Sequence, residues 1–335
     1  MTMSTHAKRR TVLGVGLAAA GLAIAGACVA SRYLRAVARA RESVSPARSR
    51  TISTRFGRLE YAVKGDGPAI LMVHGSGGGF DQGLLFGAGL AAAGYRIVAP
   101  SRFGYLRSDY PKDASPENQA DALVELLDAL DIERAAVAGL SAGALTALAF
   151  AIRHPRRCAA LLPIVPAAYV PDGEQASPWS PVQEAVVTAA LRSDFLFWAI
   201  LNLAPDFVTR SLLATDPALV AARGAAEQVA AIRRSILPVS ARAKGLLNDM
   251  RRSARPPRMD YGRIAVPTLA ISAEDDFYGT AAAARFMART VPQGRVHVFS
   301  DGGHVLIGRD TEMTALIDGF LREVDLSDSG ARNRR

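Results

Sequence analysis

The sequence predicts an α/β fold in which a mostly parallel central sheet carries helices on both faces and an all-helical cap is inserted between two strands. Short apolar runs alternate with helical stretches along much of the chain, as strands buried on both faces do in parallel sheets. Between Pro166 and Ile264 no strand pattern occurs, only helical runs broken by prolines. Glycine-rich turns directly follow two of the apolar runs. Together these observations favour one large α/β unit with an insertion.

The composition is that of an ordinary globular protein. The chain has 335 residues, of which 50% are hydrophobic and 21% are charged, and this excludes disordered, collagen-like and coiled-coil classes. Cys28 and Cys158 are too few for a disulfide framework and too far apart for a zinc knuckle. The five histidines show no metal-ligand spacing. We therefore expect neither a metal nor a cofactor.

The net charge of +9 is concentrated at the N-terminus. Residues 1–58 contain eleven Lys and Arg against one acidic residue, whereas the remainder contains 29 basic and 30 acidic residues. The body of the protein is therefore nearly neutral. Because a nucleic-acid-binding domain needs a basic face, we expect no nucleic-acid partner.

Residues 1–31 are predicted to be a signal or membrane-anchor segment. Lys8, Arg9 and Arg10 precede an uncharged run over residues 11–31, and this resembles a twin-arginine export signal. Small residues before Ala27 and Ala38 suit cleavage, whereas a run long enough to cross the ~30 Å hydrocarbon core favours an uncleaved anchor that holds the protein on the membrane. Basic residues after the run weakly favour a cytoplasmic domain. A misassigned start codon is the third alternative. We expect a membrane-associated or exported protein, with the topology left open.

Residues 32–50 are predicted to be a linker rich in Arg, Ala and Ser, and residues 51–165 the first part of the core. A hairpin of two edge strands is expected over residues 51–55 and 59–63, with the turn near Gly57. Buried strands are expected at the unbroken apolar runs 69–73, 96–99, 135–138 and 159–164. A helix is expected from Ser115 onward, since a capping serine precedes a proline and an apolar face of helical period.

Residues 166–263 are predicted to form the helical cap, with helices over 181–203, 217–232 and 241–252. Residues 264–325 return to the core through strands at 268–271 and 296–299, and residues 326–335 form a polar tail. The apolar cap residues Phe195 and Trp198 are candidates for the wall of a substrate pocket. The alternative is that they form the internal core of the cap.

The motif Gly139-Leu140-Ser141-Ala142-Gly143 follows one predicted strand and precedes an apolar helical stretch. A G-x-S-x-G sequence in this position is typical of a sharp turn that lifts a nucleophilic serine above the sheet. A side chain at either glycine position would crowd such a turn. The helix that follows favours developing negative charge at its N-terminus. Ser141 is therefore the candidate nucleophile.

A second glycine-rich turn, His74-Gly75-Ser76-Gly77-Gly78-Gly79, follows another predicted strand. Its backbone N–H groups are suited to an oxyanion hole, with the Ala142 N–H as one donor and Ser76 or Gly77 as the other. His74 is expected to shape this loop and to border the substrate site. A phosphate-binding loop is the competing interpretation, but the required lysine and the G-x-G-x-x-G pattern are missing. A plain turn is the third possibility.

A serine nucleophile needs a base and an acid that orients the base. His304 lies just after the apolar strand at 296–299, and Asp275 and Asp276 follow the strand at 268–271. Along the chain the order is therefore Ser, Asp, His, which is expected when the acid and base come from later strand ends. His304 is the candidate base, and both aspartates remain candidates for the acid.

These motifs together resemble the α/β-hydrolase superfamily, in its serine-nucleophile form with a helical cap. The resemblance extends from Thr51 to Val324. It implies Asp276 as the catalytic acid, with Asp275 as the fallback, because Ala273 replaces the glycine usual three positions before the acid. Ser141 argues against epoxide hydrolases and haloalkane dehalogenases, which carry an aspartate at that turn.

The resemblance implies acyl chemistry on a small hydrophobic substrate, without a cofactor. The leading interpretation is a serine hydrolase of the carboxylesterase or lipase type that cleaves an ester-type bond through an acyl-enzyme on Ser141. One alternative is a carbon–carbon hydrolase of the meta-cleavage type. The other is a weakly active, ligand-binding member of the fold. The sequence leaves the oligomeric state open.

Overall fold

The computed structural model describes residues 5–171, 180–324 and 326, and within these residues the chain forms an eight-stranded sheet. In chain order the strands are β1 (Arg50–Thr54), β2 (Gly57–Lys64), β3 (Ala69–Val73), β4 (Arg96–Pro100), β5 (Ala135–Leu140), β6 (Cys158–Ile164), β7 (Thr268–Ala273) and β8 (Gly294–Phe299). Across the sheet their order is β1-β2-β4-β3-β5-β6-β7-β8. Only the β1–β2 and β2–β4 pairs are antiparallel, so the predicted mostly parallel sheet is confirmed.

The helices cover both faces of the sheet. In chain order they are α1 (Thr5–Ser43), α2 (Phe80–Phe86), α3 (Ala88–Ala92), α4 (Pro116–Ala129), α5 (Gly143–Arg153), α6 (Pro181–Leu191), α7 (Asp194–Leu203), α8 (Pro205–Ser211), α9 (Pro217–Ala222), α10 (Ala226–Ser235), α11 (Ala243–Ala254), α12 (Thr280–Thr290) and α13 (Asp310–Val324). Helices α4, α5 and α12 share an apolar core with one face of the sheet, and α2, α3 and α13 share one with the other.

The central strands are buried along their whole length. Every residue of β3, β5, β6 and β7 is buried, which is why these strands appear in the sequence as unbroken apolar runs. At the carboxyl ends of these strands the chain turns into the loops that carry the candidate site.

Between β6 and β7 the described residues form helices α6–α11 and two short 3-10 turns, without a strand. The single helix predicted over 181–203 is wrong, because the chain breaks between Leu191 and Asp194. Ser193 caps the second helix there, its hydroxyl accepting a hydrogen bond of 3.2 Å from the Leu196 N–H. The α6 and α7 axes consequently meet at 94°.

Part of the segment predicted as a linker is helical instead. Helix α1 continues to Ser43. Its last turns place Tyr33, Ala36 and Ala40 on one face at helical spacing, and this face packs against the cap. Only residues 44–49 connect the helix to β1.

Among the described residues no single helix has both the length and the apolarity needed to cross a membrane, although the bent pair Glu184–Leu191 and Asp194–Leu203 meets both criteria together. Residues 1–4 of the predicted signal or anchor and residues 327–335 of the predicted tail lie outside the described residues. Leu326, the first residue of that tail, is buried in the core beneath α13.

Candidate active site

Ser141 lies at the sharp turn between β5 and α5. Its φ of +50° is in the left-handed region, which costs a residue with a side chain about 1–3 kcal/mol. A hydrogen bond of 2.9 Å from the Ser141 N–H to the Ile164 carbonyl on neighbouring β6 holds the turn in place. A Cβ at Gly143 would lie 2.5 Å from the carbonyl oxygens of Val73 and His74, so this position requires a glycine.

The structure brings the three sequence-predicted residues Ser141, His304 and Asp276 into one hydrogen-bonded chain. The His304 Nε2 lies 2.9 Å from the Ser141 Oγ, and its Nδ1 lies 2.8 Å from the Asp276 Oδ2. Asp276 follows β7 and His304 follows β8, so adjacent parallel strands deliver both side chains to one edge of the sheet. Both residues are more than nine-tenths buried.

Asp275 has a different position. Its carboxylate accepts hydrogen bonds from the backbone N–H groups of Gly302 and Gly303, at 3.3 and 2.8 Å. It therefore stabilises the turn that carries His304, and Asp276 is the aspartate in contact with the imidazole.

Three residues that the sequence analysis missed complete the surroundings of this chain. The Thr280 hydroxyl donates to the Asp276 Oδ2, and the Tyr278 N–H donates to the Asp276 Oδ1 at 2.9 Å. The Thr215 hydroxyl accepts a 3.1 Å bond from the His304 N–H. Thr280 begins α12 four residues after Asp276, and this short spacing in the sequence could have indicated the contact. The contact from Thr215, which lies in the cap, has no counterpart in the local sequence.

The glycine-rich loop adjoins Ser141 on the β3 side. Ser76 borders the cavity described below, whereas the Gly77 N–H is already bonded to the Tyr105 hydroxyl at 3.3 Å. In the described part of the chain no acceptor is in hydrogen-bond range of the Ser76 or Ala142 N–H groups. Of the two predicted alternatives for the second donor, the geometry therefore favours Ser76 over Gly77.

His74 does not border the cavity, contrary to the prediction, because its ring is fully buried beneath the loop. Its Nε2 accepts a 2.9 Å bond from the Arg102 N–H, and its Nδ1 lies 2.7 Å from the Gly75 carbonyl oxygen. A proton on Nδ1 satisfies both contacts at once. Burial, together with the Arg102 charge, lowers the pKa of His74 well below its ordinary value, so the ring is neutral.

A cavity of about 940 Å³ opens onto Ser141 and His304. Under the cap its wall includes Phe197, Ile236 and Met250, and between the sheet and α13 it includes Phe86 and Met313. Aromatic and aliphatic side chains thus form most of the wall, as is typical of small-molecule sites.

Phe195 and Trp198 are not in this wall, so their predicted role in the pocket is wrong. Phe195 is half exposed, and both rings contact Tyr33 of α1, at centroid distances of 5.2 and 5.6 Å. On a helix the side chains of neighbouring positions point about 100° apart, so Phe197 faces the cavity while its neighbours face α1.

The cavity wall carries little charge. Among the described residues that line it, Asp310 is the only carboxylate, His304 is the only histidine, and neither Lys nor Arg is present. A carboxylate on a ligand would therefore meet no fixed positive charge there. The described residues also contain no group of three His, Cys, Asp or Glu side chains placed to hold a metal ion.

A mostly parallel sheet, a serine on a sharp strand-to-helix turn and an imidazole–carboxylate pair at the next strand ends define a hydrolase of the α/β type. The family model for the alpha/beta hydrolase fold matches residues 68–309. The chain belongs to this family, as its resemblance predicted.

Individual relatives agree with this assignment. A 2-hydroxy-6-oxononadienedioate/2-hydroxy-6-oxononatrienedioate hydrolase of Paraburkholderia xenovorans is 28% identical over 264 residues, covering 74% of this chain and 84% of that protein. An uncharacterized hydrolase of Bacillus subtilis is 38% identical, but the match spans only 33% of this chain and 38% of that relative. Among solved structures, an alpha/beta hydrolase fold protein from Nakamurella multipartita superposes with a TM-score of 0.65 and 27% identity, covering 82% and 99% of the two chains.

Proposed function

We propose that this protein is a serine hydrolase that cleaves an ester-type bond of a small hydrophobic substrate through an acyl-enzyme on Ser141. The observation that carries the proposal is the hydrogen-bonded chain from Asp276 through His304 to Ser141, at 2.8 and 2.9 Å, at the base of an apolar cavity. A serine hydroxyl becomes an effective nucleophile when such a base takes its proton.

In the proposed reaction His304 Nε2 takes the Ser141 proton as Oγ attacks the substrate carbonyl carbon. The oxyanion that forms accepts hydrogen bonds from the N–H groups of Ser76 and Ala142, and one such donor contributes about 3–4 kcal/mol of transition-state stabilisation. His304 then protonates the departing alkoxide. The same imidazole next removes a proton from water, which attacks the acyl carbonyl and releases Ser141 and the acid. Asp276 stabilises the imidazolium in both steps.

The apolar wall of the cavity supports an uncharged ester as the substrate. Burying a carboxylate without a cationic or hydrogen-bonding partner costs several kcal/mol, and the described wall offers no Lys or Arg.

A carbon–carbon hydrolase of the meta-cleavage type is the second candidate. It is favoured by the relative from Paraburkholderia xenovorans, whose substrate is named as a dioate. The cavity wall argues against a dioate substrate for this chain, because its described residues include Asp310 and neither Lys nor Arg. A third alternative, a ligand-binding protein with little activity, predicts no acyl-enzyme at all.

The test is labelling of the full-length protein with a fluorophosphonate probe, mapped by mass spectrometry. We expect a stoichiometric adduct on Ser141 that is lost in Ser141→Ala and strongly slowed in His304→Ala. His297→Ala is the matched control, because His297 lies on β8 outside the cavity wall. A folded wild-type protein that gives no adduct would contradict the proposal.

The substrate class is tested next on the same samples. We expect nitrophenyl esters from acetate to dodecanoate to be hydrolysed, with kcat/KM rising as the acyl chain lengthens. A coloured 2-hydroxy-6-oxo-dienoate is offered in parallel. Faster bleaching of that compound than hydrolysis of any ester would favour the carbon–carbon hydrolase instead.

We also propose that residues 1–31 direct the protein to the membrane or to export. The support is Lys8, Arg9 and Arg10 ahead of the uncharged run, together with the exposure of Ile24 and Val29 on α1. Cell fractionation with N-terminal mass analysis is the test. An intact N-terminus in the membrane fraction indicates an anchor, and a shortened one outside the cytoplasm indicates cleavage. Full-length protein confined to the cytosol would refute both forms.

A further inference from the structure

We propose that Asp249 on cap helix α11 is a positioning residue that, through Arg102, aims the Ser76 N–H at the oxyanion. Catalysis would then require that the cap is packed against the core, with Asp249 in contact with Arg102. The inference rests on the proposed function, because it assigns a role in that reaction to residues that do not touch the substrate.

The pair between Asp249 and Arg102 joins the cap to the core. The Arg102 guanidinium donates to both carboxylate oxygens of Asp249, at 2.7 and 2.5 Å. Both residues are at least 95% buried. Arg102 follows β4 in the core, whereas Asp249 comes from α11, 147 positions later in the chain. Two parallel hydrogen bonds of this kind fix the plane of the guanidinium group.

Arg102 uses its remaining donors on the glycine-rich loop. Its Nε donates to the His74 carbonyl at 2.9 Å, and its Nη2 donates to the Gly75 carbonyl at 3.1 Å. Its backbone N–H donates to His74 Nε2, which leaves the proton of that ring on Nδ1, 2.7 Å from the same Gly75 oxygen. The Gly75 carbonyl also accepts the Gly78 N–H, at the longer distance of 3.3 Å. Its two side-chain contacts, at 3.1 Å from Arg102 and 2.7 Å from His74, both depend on Arg102.

The direction of the Gly75 carbonyl determines the direction of the Ser76 N–H. The two groups belong to one peptide unit, which is trans, so they point in opposite directions. With the carbonyl held against Arg102 and His74, the N–H points away from them, on the side where Ser76 borders the cavity. Glycines on both sides of Ser76 make a rotation of this peptide easy in the absence of such a hold. A rotated peptide would present an oxygen to the oxyanion instead of a donor.

A second set of contacts from the same part of the fold acts on the rest of the loop. The Tyr105 hydroxyl donates to Asp249 and accepts the Gly77 N–H. Arg242, a fully buried residue just before α11, donates to the Gly78 carbonyl at 2.5 Å and pairs with Asp81 at 2.9 Å. The loop is thus held in part by residues that belong to the cap, so a displaced cap releases it.

The test compares Asp249→Asn and Arg102→Lys with wild type in the full-length protein. The measurements are kcat and KM for a nitrophenyl ester and the inhibition constant of a trifluoromethyl ketone with the same acyl group, which forms an oxyanion on Ser141. We expect kcat to fall about tenfold to a hundredfold, as for a misplaced oxyanion donor, while KM changes less than about threefold. Ketone affinity should fall in proportion to kcat/KM.

The matched control is Asp121→Asn. Asp121 is likewise a buried carboxylate paired with arginines, Arg55 and Arg153, but it lies on α4 outside the cavity wall. Its variant should lose stability and retain wild-type kcat. Circular dichroism establishes that each variant is folded. If Asp249→Asn does not fold, Tyr105→Phe replaces it, and we expect a smaller loss of kcat with the same unchanged KM.

Three outcomes are distinguishable. Wild-type kcat and ketone affinity in the folded variants would overturn the positioning role while the proposed hydrolase stands. A raised KM with unchanged kcat would also overturn it, since it indicates a role in substrate binding alone. If the wild type itself gives neither turnover nor a phosphonate adduct, the proposed function fails, and the positioning role fails with it.

Discussion

The substitution Gly143→Ala tests the packing of the nucleophile turn against the end of β3. The added methyl carbon would lie 2.5 Å from the carbonyl oxygens of Val73 and His74, closer than Cβ atoms approach backbone in folded proteins. Because both obstacles are backbone atoms of a buried strand end, the chain has to shift by several tenths of an ångström. Overpacking of this kind costs about 1–3 kcal/mol in the free energy of unfolding.

The same displacement moves the His74 carbonyl, which accepts a hydrogen bond from Arg102. Arg102 also holds the Gly75 carbonyl, so the displacement extends to the loop that carries the Ser76 N–H. We therefore expect Gly143→Ala to lower kcat as well as stability. Urea unfolding followed by circular dichroism measures the stability, and hydrolysis of a nitrophenyl ester measures kcat.

Gly319→Ala is the matched control for this experiment. Gly319 lies inside α13 with nothing within 4 Å of an added Cβ. Alanine is a better helix former than glycine by about 1 kcal/mol, so this variant should gain stability and retain wild-type kcat. If Gly143→Ala is as stable and as active as Gly319→Ala, the steric account of the nucleophile turn is wrong.

Three further predictions concern the histidine beneath the loop, the cavity and the contact with α1. Because the folded-state pKa of His74 is lowered, only the unfolded chain binds its proton below about pH 6.5, so stability falls with falling pH at up to about 1.4 kcal/mol per unit. His74→Asn should remove this part of the slope in urea titrations against pH, and an unchanged slope would refute it. Phe197→Trp should narrow the cavity and lower kcat/KM for the longest nitrophenyl ester about tenfold. Phe195→Trp should leave that kcat/KM unchanged, because Phe195 is not in the cavity wall. Equal losses of kcat/KM in both variants would contradict the assigned wall. Tyr33→Ala removes two ring contacts worth about 1 kcal/mol each, so amide exchange in α7 should accelerate, and unchanged exchange would mean that α1 does not support the cap.

The elements that the sequence predicts best are those for which local pattern and tertiary environment agree. Strands β3 and β5 are buried on both faces, so every residue is apolar or small, and the pattern is visible without the fold. Ser141 is identifiable for a similar reason, because its turn requires small residues at fixed positions. His304 and Asp276 follow strands, and parallel strands bring their ends together.

The predictions that failed depend on which face of a helix meets which neighbour. Phe195 and Trp198 contact Tyr33 of α1, and apolar composition is the same for such a contact as for a cavity wall. Residues 32–43 were predicted as a linker although they are helical, because arginines interrupt the apolar positions of α1 in this part of the sequence. The pairing of Asp249 with Arg102 joins positions far apart in the chain, so no local pattern indicates it.

The contact between Tyr33 and the cap would make the position of the cut matter if the N-terminal segment is cleaved as proposed. Cleavage after Ala27 would leave Tyr33 and Ala36 packed against the cap, so that form would keep the contact between α1 and α7. Cleavage after Ala38 would take both residues away and leave the aromatic surface of α7 open to water. Two mature forms of one polypeptide would then differ in how freely the cap moves, although every residue around Ser141 is identical in both.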